Sequence, residues 1–386
     1  MRAFLSPTET FIGNQITTLQ AYRPVVFCHH RLPNASYPFP NVHCVQELLP
    51  PLPRLLDSVS YRLARHLPRV SAEVIAERIE AESVRLLHFH YLVDARFFLA
   101  LKRLTGLPAV VSAYGYDVSS FPRQLAGYGR RYLQAVCKEM DCFLAMSFDM
   151  KHDMVKLGCP EHKIKVHYHG IDTDRFHFPG RTYPPKDVVN ILVCASLVAK
   201  KGQLHVLQAL HEWQQRTGVT SFELTFVGDG PLRPQLESTV QHYGWDGRVR
   251  FLGHIPHHLP RLVQEYHRAD VFVLPSTTAN GDKEGIPGTL VEAMASGLPV
   301  VSTHHAGIPE LISHETNGLL VAERDVTALS QALGRLIEDR GLRERLGQAA
   351  TRTVQDRGHL PSRTVALEAI YDELLDHASN PRTLYS

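Results

Sequence analysis

The chain has 386 residues, 44% of them apolar, and a formal net charge of +2. That composition excludes a disordered chain and leaves room for two α/β domains of ordinary size. No apolar run reaches the roughly 20 residues of a membrane span, and six cysteines without a C-x-x-C pair argue against a zinc ribbon or a disulfide frame and for reduced thiols in a cytoplasmic protein.

Ser6-Pro7-Thr8-Glu9 opens the chain as a capping box, with Pro at the first helical position and Glu three residues after the cap. Ile12, Ile16 and Leu19 then share one helix face. Only residues 1–5 remain for a first strand, so that strand is stubby or the chain starts further upstream. Strand-like apolar runs follow at 25–28, 84–89, 109–113 and 142–146. Between the first two lies Pro51-Leu52-Pro53, then a basic stretch with Arg54, Leu55, Leu56, Arg62, Leu63, Arg65, His66 and Arg69. It reads either as a solvated surface helix or as a segment lying on an anionic bilayer. His88-Phe89-His90 closes the run at 84–89. Alternate strand residues share a face, so both imidazoles point toward an acceptor or form a structural pair; His90 is nearer the carboxyl end, where α/β sites form. Asp172-Thr173-Asp174 has a D-x-D spacing that can hold a metal, but it stands far from the segment described below, and no metal is expected there.

Residues 179–186 (PGRTYPPK) are rich in Pro and polar residues and read as a linker. The domains expected are therefore 1–185, 186–360 and a final helix in 361–386. Residues 1–185 carry a formal charge of +6 and residues 186–386 one of −4. The basic half suits an anionic acceptor or membrane surface, unless this is ordinary variation between domains. After the linker, strand runs at 191–195, 224–227, 249–252, 271–274 and 300–303 alternate with helical patterns such as 203–215 and 232–242. This predicts parallel sheets with helices on both faces, in two Rossmann-like domains. G-x-G-x-x-G after the first strand and G-x-x-x-x-G-K-[ST] are both absent, which argues against NAD binding and a P-loop. Three adjacent histidine pairs, His304-His305 among them, lack the spacing of a zinc site.

Residues 282–297 (DKEGIPGTLVEAMASG) carry the chemistry. Pro287 is an early helical residue, and the helix is expected to run to about Ser296. The backbone N–H groups of Gly288, Thr289 and Leu290 would be unpaired donors, an anion site ready for a diphosphate. Glu292, a turn deeper, is placed to accept two ribose hydroxyls. Glu in a first helical turn is also stabilising without any ligand.

At this point the chain resembles glycosyltransferase family 4, a retaining group with the GT-B fold. Glu284-Gly285-Ile286-Pro287 followed by Glu292-Ala293-Met294-Ala295 looks like its E-x7-E signature. Lys200-Lys201-Gly202 matches its KKG motif and Gly228-Asp229-Gly230-Pro231 its GDGP turn. Ala269 to Ser276 matches the strand leading to the donor loop, and His169-Gly170-Ile171-Asp172 with Phe176 matches its NGID…F loop. Thr8-Glu9-Thr10-Phe11-Ile12 resembles the start of members from exopolysaccharide and colanic-acid synthesis. The resemblance implies two facing domains, acceptor on the first and donor on the second, with the final helix crossing back to the first. It implies that Glu284 contacts the donor sugar and Glu292 the ribose. Lys201 would neutralise the leaving diphosphate, and Gly228, Gly230 and Pro231 would border the base or ribose. Gly285, Ile286, Pro287, Gly288, Thr289 and Leu290 would line the phosphates.

Two positions depart from the family. Ser196 stands where Arg is usual and supplies no bidentate charge. Tyr114, in Tyr114-Gly115-Tyr116-Asp117, replaces a usual His and keeps only a hydroxyl. The predicted reaction is retaining, metal-independent hexose transfer from a UDP- or GDP-linked sugar, with no other cofactor. The acceptor expected is a saccharide or polyprenyl-linked oligosaccharide in bacterial surface polysaccharide assembly. Glu284, Lys201, Tyr114 and His90 are the catalytic candidates. Peripheral association with the inner face of a membrane is compatible with the basic half; no nucleic-acid partner is expected. The alternative is a sugar-nucleotide binder with little or no activity, motivated by Ser196 and Tyr114.

Overall fold

A computed structural model describes residues 2–4, 9–32, 39–51, 53–54, 57–58, 66–124, 127–183 and 188–379. The capping box at 6–9 and most of the basic stretch at 54–69 fall outside the described residues, apart from Glu9, Arg54, His66 and Arg69. The chain forms two compact units, divided between Gly170 and Ile171 and again between His359 and Leu360.

The first unit is built on four parallel strands in sequence order: Leu87–His90, Ala109–Ser112, Cys142–Ala145 and Ile164–Val166. Two short parallel pairs precede them, Ala3–Phe4 with His30–Arg31 and Val26–Cys28 with Val42–Cys44. The first strand is thus stubby. The central runs AVVS and CFLA are buried at every position, which is why they read as unbroken apolar stretches. Helices cover them, among them Arg69–Ala81, Tyr128–Glu139 and Phe148–Leu157. Ser147 caps the last of these by accepting the Met150 N–H at 3.0 Å.

The final helix, Leu360–Ser379, belongs to this first unit. Its Glu368 accepts the N–H groups of Gln20 and Ala21, both at 2.7 Å, and its Tyr371 hydroxyl meets His88 Nδ1 at 2.6 Å.

The second unit holds six parallel strands: Val189–Cys194, Phe222–Val227, Val249–Phe251, Val271–Val273, Val300–Thr303 and Leu319–Val321. Their spatial order, counted along this unit, is 3-2-1-4-5-6, the doubly wound order. One face carries Val206, Leu210, Trp213 and Leu333; the other carries Tyr266, Leu290, Met294 and Val354. Both faces are therefore apolar, and the strands between them are Val-rich throughout.

The domain boundary differs from the expected residue 185. Residues 171–183 join the second unit because their side chains anchor there. Phe176 is fully buried in its core. The Arg181 guanidinium donates to the carbonyls of Ser296, Ala269 and Tyr266 at 2.6, 2.7 and 2.9 Å. Tyr183 Oη–H donates to Gly297 O at 2.8 Å. Asp172 serves as a helix cap, accepting the Arg175 N–H at 3.1 Å.

Candidate active site

In the second unit the strand order reverses between Val189–Cys194 and Val271–Val273. Ligand crevices in such sheets form at the carboxyl ends of strands at that point. The segment leaving the first of these strands runs through Ser196 to a short turn, Ala199–Lys201, and Gly202. Gly202 adopts φ +70°, and a Cβ there would lie 2.1 Å from Pro275 O. Only glycine lets this turn pack directly on the segment leaving the second strand. Gly228 does the same on the other side, where a Cβ would lie 2.0 Å from Ala195 O. The GDGP turn is thus held by backbone packing. Gly230 is pressed against Leu197 O, and Pro231 and Ser196 are exposed.

Close packing of Gly202 on Pro275 brings both lysines onto the loop that carries Asp282 and Glu284. Lys201 Nζ lies 2.9 Å from Glu284 Oε2. Lys200 Nζ lies 2.8 Å from Asp282 Oδ2 and 3.3 Å from Glu284 Oε1. The second distance is a charge contact only: Glu284 Oε1 is buried and takes no hydrogen bond. Burial works against the charged form of Glu284, but Lys201 and then Lys200 outweigh it and hold the carboxyl down at about 2. Glu284 is therefore an ionised, largely buried carboxylate with a lysine beside each oxygen.

The loop is fixed from behind by residues that motif reading passed over. Glu284 N–H donates to His305 Nε2 at 3.1 Å. The imidazole proton therefore sits on Nδ1, which donates to Glu323 Oε1 at 2.6 Å. Glu323 Oε2 accepts the Thr278 N–H at 2.8 Å. Of these, only His305 had a signal in the sequence: a histidine just beyond the carboxyl end of strand Val300–Thr303.

The helix after the loop is Gly288–Ala295, preceded by Pro287. Gly288 is exposed, and a Cβ there would meet nothing within 4 Å. Its N–H and that of Thr289 have no acceptor among the described residues. Leu290 departs from expectation. Its N–H donates to Pro287 O at 3.0 Å, and its side chain is fully buried in the core. The first turn is tight enough to use that donor internally. Gly285 and Ile286 are half-buried. Glu292 is buried, with Oε2 accepting from Tyr266 at 2.6 Å and Oε1 from His257 Nε2 at 3.0 Å. Each carboxylate oxygen keeps a second lone pair for a hydroxyl.

His90 and Tyr114 lie in the first unit. His90 Nδ1 and the Tyr114 hydroxyl are 2.6 Å apart. The Tyr114 ring stacks on His169, with centroids 5.1 Å apart, and lies 4.8 Å from Phe11. Burial, then the neighbouring His88, hold His90 neutral, well below the usual imidazole range. Burial likewise raises the Tyr114 phenol well above its usual range. His88 is structural: Tyr371 and Ser112 take its two ring nitrogens at 2.6 and 2.8 Å. Asp117, in the same motif as Tyr114, accepts the N–H groups of Tyr114 and Leu92 at 2.9 and 2.8 Å. It ties two strand ends together. No group of three or more potential metal ligands occurs among the described residues.

Comparison with known proteins gives the family. A profile described as Glycosyltransferase Family 4 matches residues 12–175, and one described as Glycosyl transferases group 1 matches residues 188–339. The chain belongs to glycosyltransferase family 4. This family member is 36% identical over 259 residues to the amylovoran biosynthesis glycosyltransferase AmsK of Erwinia amylovora, covering 66% of this chain and 61% of that protein. It is 38% identical over 222 residues to the putative colanic acid biosynthesis glycosyltransferase WcaL of Escherichia coli K12, covering 57% of this chain and 53% of that protein. The matched part is thus little more than half the length of these relatives. Among solved structures, Anabaena HepE in complex with UDP superposes with a TM-score of 0.75 at 19% identity, covering 97% of this chain and 100% of that one. The lipopolysaccharide outer core galactosyltransferase WaaB in its apo form gives 0.67 at 17% identity, covering 97% and 100%. At these identities the likeness shows the fold, GT-B, with parallel sheets in two Rossmann-like domains.

Proposed function

We propose that this family 4 member transfers a hexose, with retention and without a metal, from a UDP- or GDP-linked sugar to a saccharide or polyprenyl-linked acceptor in surface polysaccharide synthesis. The observation that carries the reading is Glu284: largely buried beside the KKG turn and held ionised by two lysines. The open N–H groups of Gly288 and Thr289 sit four and five residues further along the chain. The names of AmsK and WcaL support the reaction class and the setting, and HepE binds UDP.

Cleavage of the sugar–phosphate bond leaves a negative diphosphate and an oxocarbenium-like sugar. Lys201 and the helix N–H groups stabilise the diphosphate, where charge grows. Glu284 accepts from a donor-sugar hydroxyl and lies on the side of the developing cation. Glu292 receives the ribose. With retention, the acceptor attacks on the face the diphosphate leaves, and the departing phosphate takes the acceptor proton. No second carboxylate at a glycosidase spacing is required. His90 and Tyr114, both neutral, orient an acceptor hydroxyl by hydrogen bonding. No helix among the described residues is long and apolar enough to cross a membrane, and we place the chain in the cytoplasm, reaching lipid-linked acceptors from the periphery of the bilayer.

The test is turnover of UDP-glucose and GDP-mannose by wild type and by Glu284→Gln. We expect a loss of about 100-fold or more in transfer, with nucleotide affinity within about tenfold of wild type. Full activity in the variant removes Glu284 from the chemistry. Tight nucleotide binding by the wild type with no turnover on any acceptor identifies a binder instead.

A further inference from the structure

We propose that Lys200 is a positioning residue, which holds Glu284 in place when Lys201 commits its charge to the diphosphate. This role rests on the glycosyl-transfer reading above and extends it to a residue that reading leaves unused.

The starting point is a conflict over one cation. Lys201 is assigned to the leaving diphosphate, yet here its Nζ is spent on Glu284 Oε2 at 2.9 Å. Ser196 is exposed and uncharged, so no arginine at that position shares the diphosphate with it. A donor would draw Lys201 toward the phosphates and weaken its bond to a carboxylate whose side chain is 11% exposed. An ionised carboxylate buried without a compensating cation is strongly disfavoured. It would take up a proton or swing out of position.

Lys200 is placed to prevent this. Its Nζ is 3.3 Å from Glu284 Oε1, the oxygen without a hydrogen bond. It is itself held in two ways: Asp282 Oδ2 grips the ammonium at 2.8 Å, and its carbonyl accepts the Thr277 N–H at 2.8 Å. Lys200 is therefore tied to the donor loop at both its backbone and its tip. Its ammonium is held above the usual lysine range; burial opposes this, but Glu284 and Asp282 prevail.

The groups facing Glu284 come from three segments. Lys200 and Lys201 come from the KKG turn, and Asp282 from its own loop. His305 comes from behind, bonded to the Glu284 main chain and backed by Glu323. Among these, only the two lysines bring a fixed positive charge. If one turns to the phosphates, the other must carry the ion pair, and Oε2 is released for a sugar hydroxyl.

The experiment uses the full chain and the variants Lys200→Met, Lys200→Arg, Lys201→Met and Asp282→Asn. Calorimetry with UDP and GDP gives nucleotide affinity. Turnover of UDP-glucose and GDP-mannose at neutral pH gives kcat and KM separately; a melting curve checks folding. We expect Lys200→Met to keep nucleotide affinity within about threefold and lose about tenfold in kcat, because the lost contact acts on the sugar and not on the diphosphate. Lys200→Arg should restore most of kcat, and Asp282→Asn should fall between. Lys201→Met should weaken nucleotide binding. If Lys200→Met weakens UDP and GDP as much as Lys201→Met does, Lys200 is a phosphate ligand and the proposal is wrong. An unchanged kcat also overturns it, leaving the transfer reading intact. A wild type that binds neither nucleotide nor sugar nucleotide overturns the transfer reading, and this role with it.

Discussion

Ser196 shows what a single side chain does to the charge balance of this site. It is exposed on the turn after strand Val189–Cys194, and its carbonyl is already taken by Gln203 Nε2 at 2.8 Å. The side chain is therefore free to change without disturbing the turn. An arginine there adds a second cation with a planar fork suited to phosphate oxygens. Ser196→Arg should tighten UDP or GDP binding by about three- to tenfold, in line with one charge-assisted contact at a solvent-facing site. Titration calorimetry at two salt concentrations checks this, since the gain should shrink as salt rises. An affinity indifferent to both Ser196→Arg and Lys201→Met would mean that the diphosphate lies elsewhere. The two glutamates of the signature are legible because their spacing is local. The cations that hold Glu284 and the histidine behind it are 21 to 84 positions away. Their roles emerge only when the sheet brings the strand ends together.

Among the elements, the helix Gly288–Ala295 depends on a residue far from it in sequence. Arg181 closes the carboxyl ends of two helices at once, Pro260–Arg268 and Gly288–Ala295, through the carbonyls of Tyr266, His267, Ala269 and Ser296. Both helix dipoles favour a cation there. Tyr266 in turn holds Glu292, so the same arginine supports the carboxylate proposed to receive the ribose. Arg181→Met should leave several buried carbonyls without a donor and cost about 3 kcal/mol. For a unit of this size that is a fall of about 6–12 °C in melting temperature; a shift under 2 °C would show that water replaces the guanidinium without penalty. Composition alone placed Arg181 in a linker, because Pro179, Gly180 and the two prolines after Tyr183 are turn formers. It gave no hint that the side chains between them are anchors. Sequence was a better guide where strands are Val-rich and bounded by Gly or Pro, as at 191–195 and 300–303. It missed Ile164–Val166, whose middle residue is Lys165 on an edge strand, and Val42–Cys44 and Leu319–Val321, which are too short to show a period. The unpaired donor expected at Leu290 failed for a subtler reason: a first turn with i to i+3 bonding consumes one N–H more than an ideal α-helix would.

At the scale of the whole chain, the two units differ in how they respond to acid. Burial holds five imidazoles of the first unit below their ordinary value: His88 and His169 to about 3, His167 to about 4, His90 well below it, and the less buried His30 in the same direction. In the unfolded chain each protonates near pH 6.5. The sign follows from which state binds more protons. Between pH 6.5 and about 4 the unfolded first unit takes up protons that the folded one refuses, so its stability falls as pH falls. Each such histidine removes about 1.4 kcal/mol per pH unit in that window, and the four most buried, acting together, exhaust a stability of about 5–15 kcal/mol within roughly one to three pH units. In the second unit only His205 and His267 are lowered among the described residues, and both are less buried. Its most perturbed carboxylate, Glu284, works in the same direction but later: held at about 2, it loses its contribution only as pH drops below about 4.5. The first unit should therefore unfold at a higher pH than the second. The chain supplies its own reporter, because its only two tryptophans, Trp213 and Trp245, are both buried in the second unit. On acidification from pH 7, far-UV circular dichroism should lose part of its helical signal between about pH 5.5 and 4 while tryptophan emission stays at its native wavelength; emission should then shift red in a second step at lower pH. Coincident transitions would mean that the units unfold as one, and a tryptophan shift that comes first would reverse the assignment of the acid-sensitive unit.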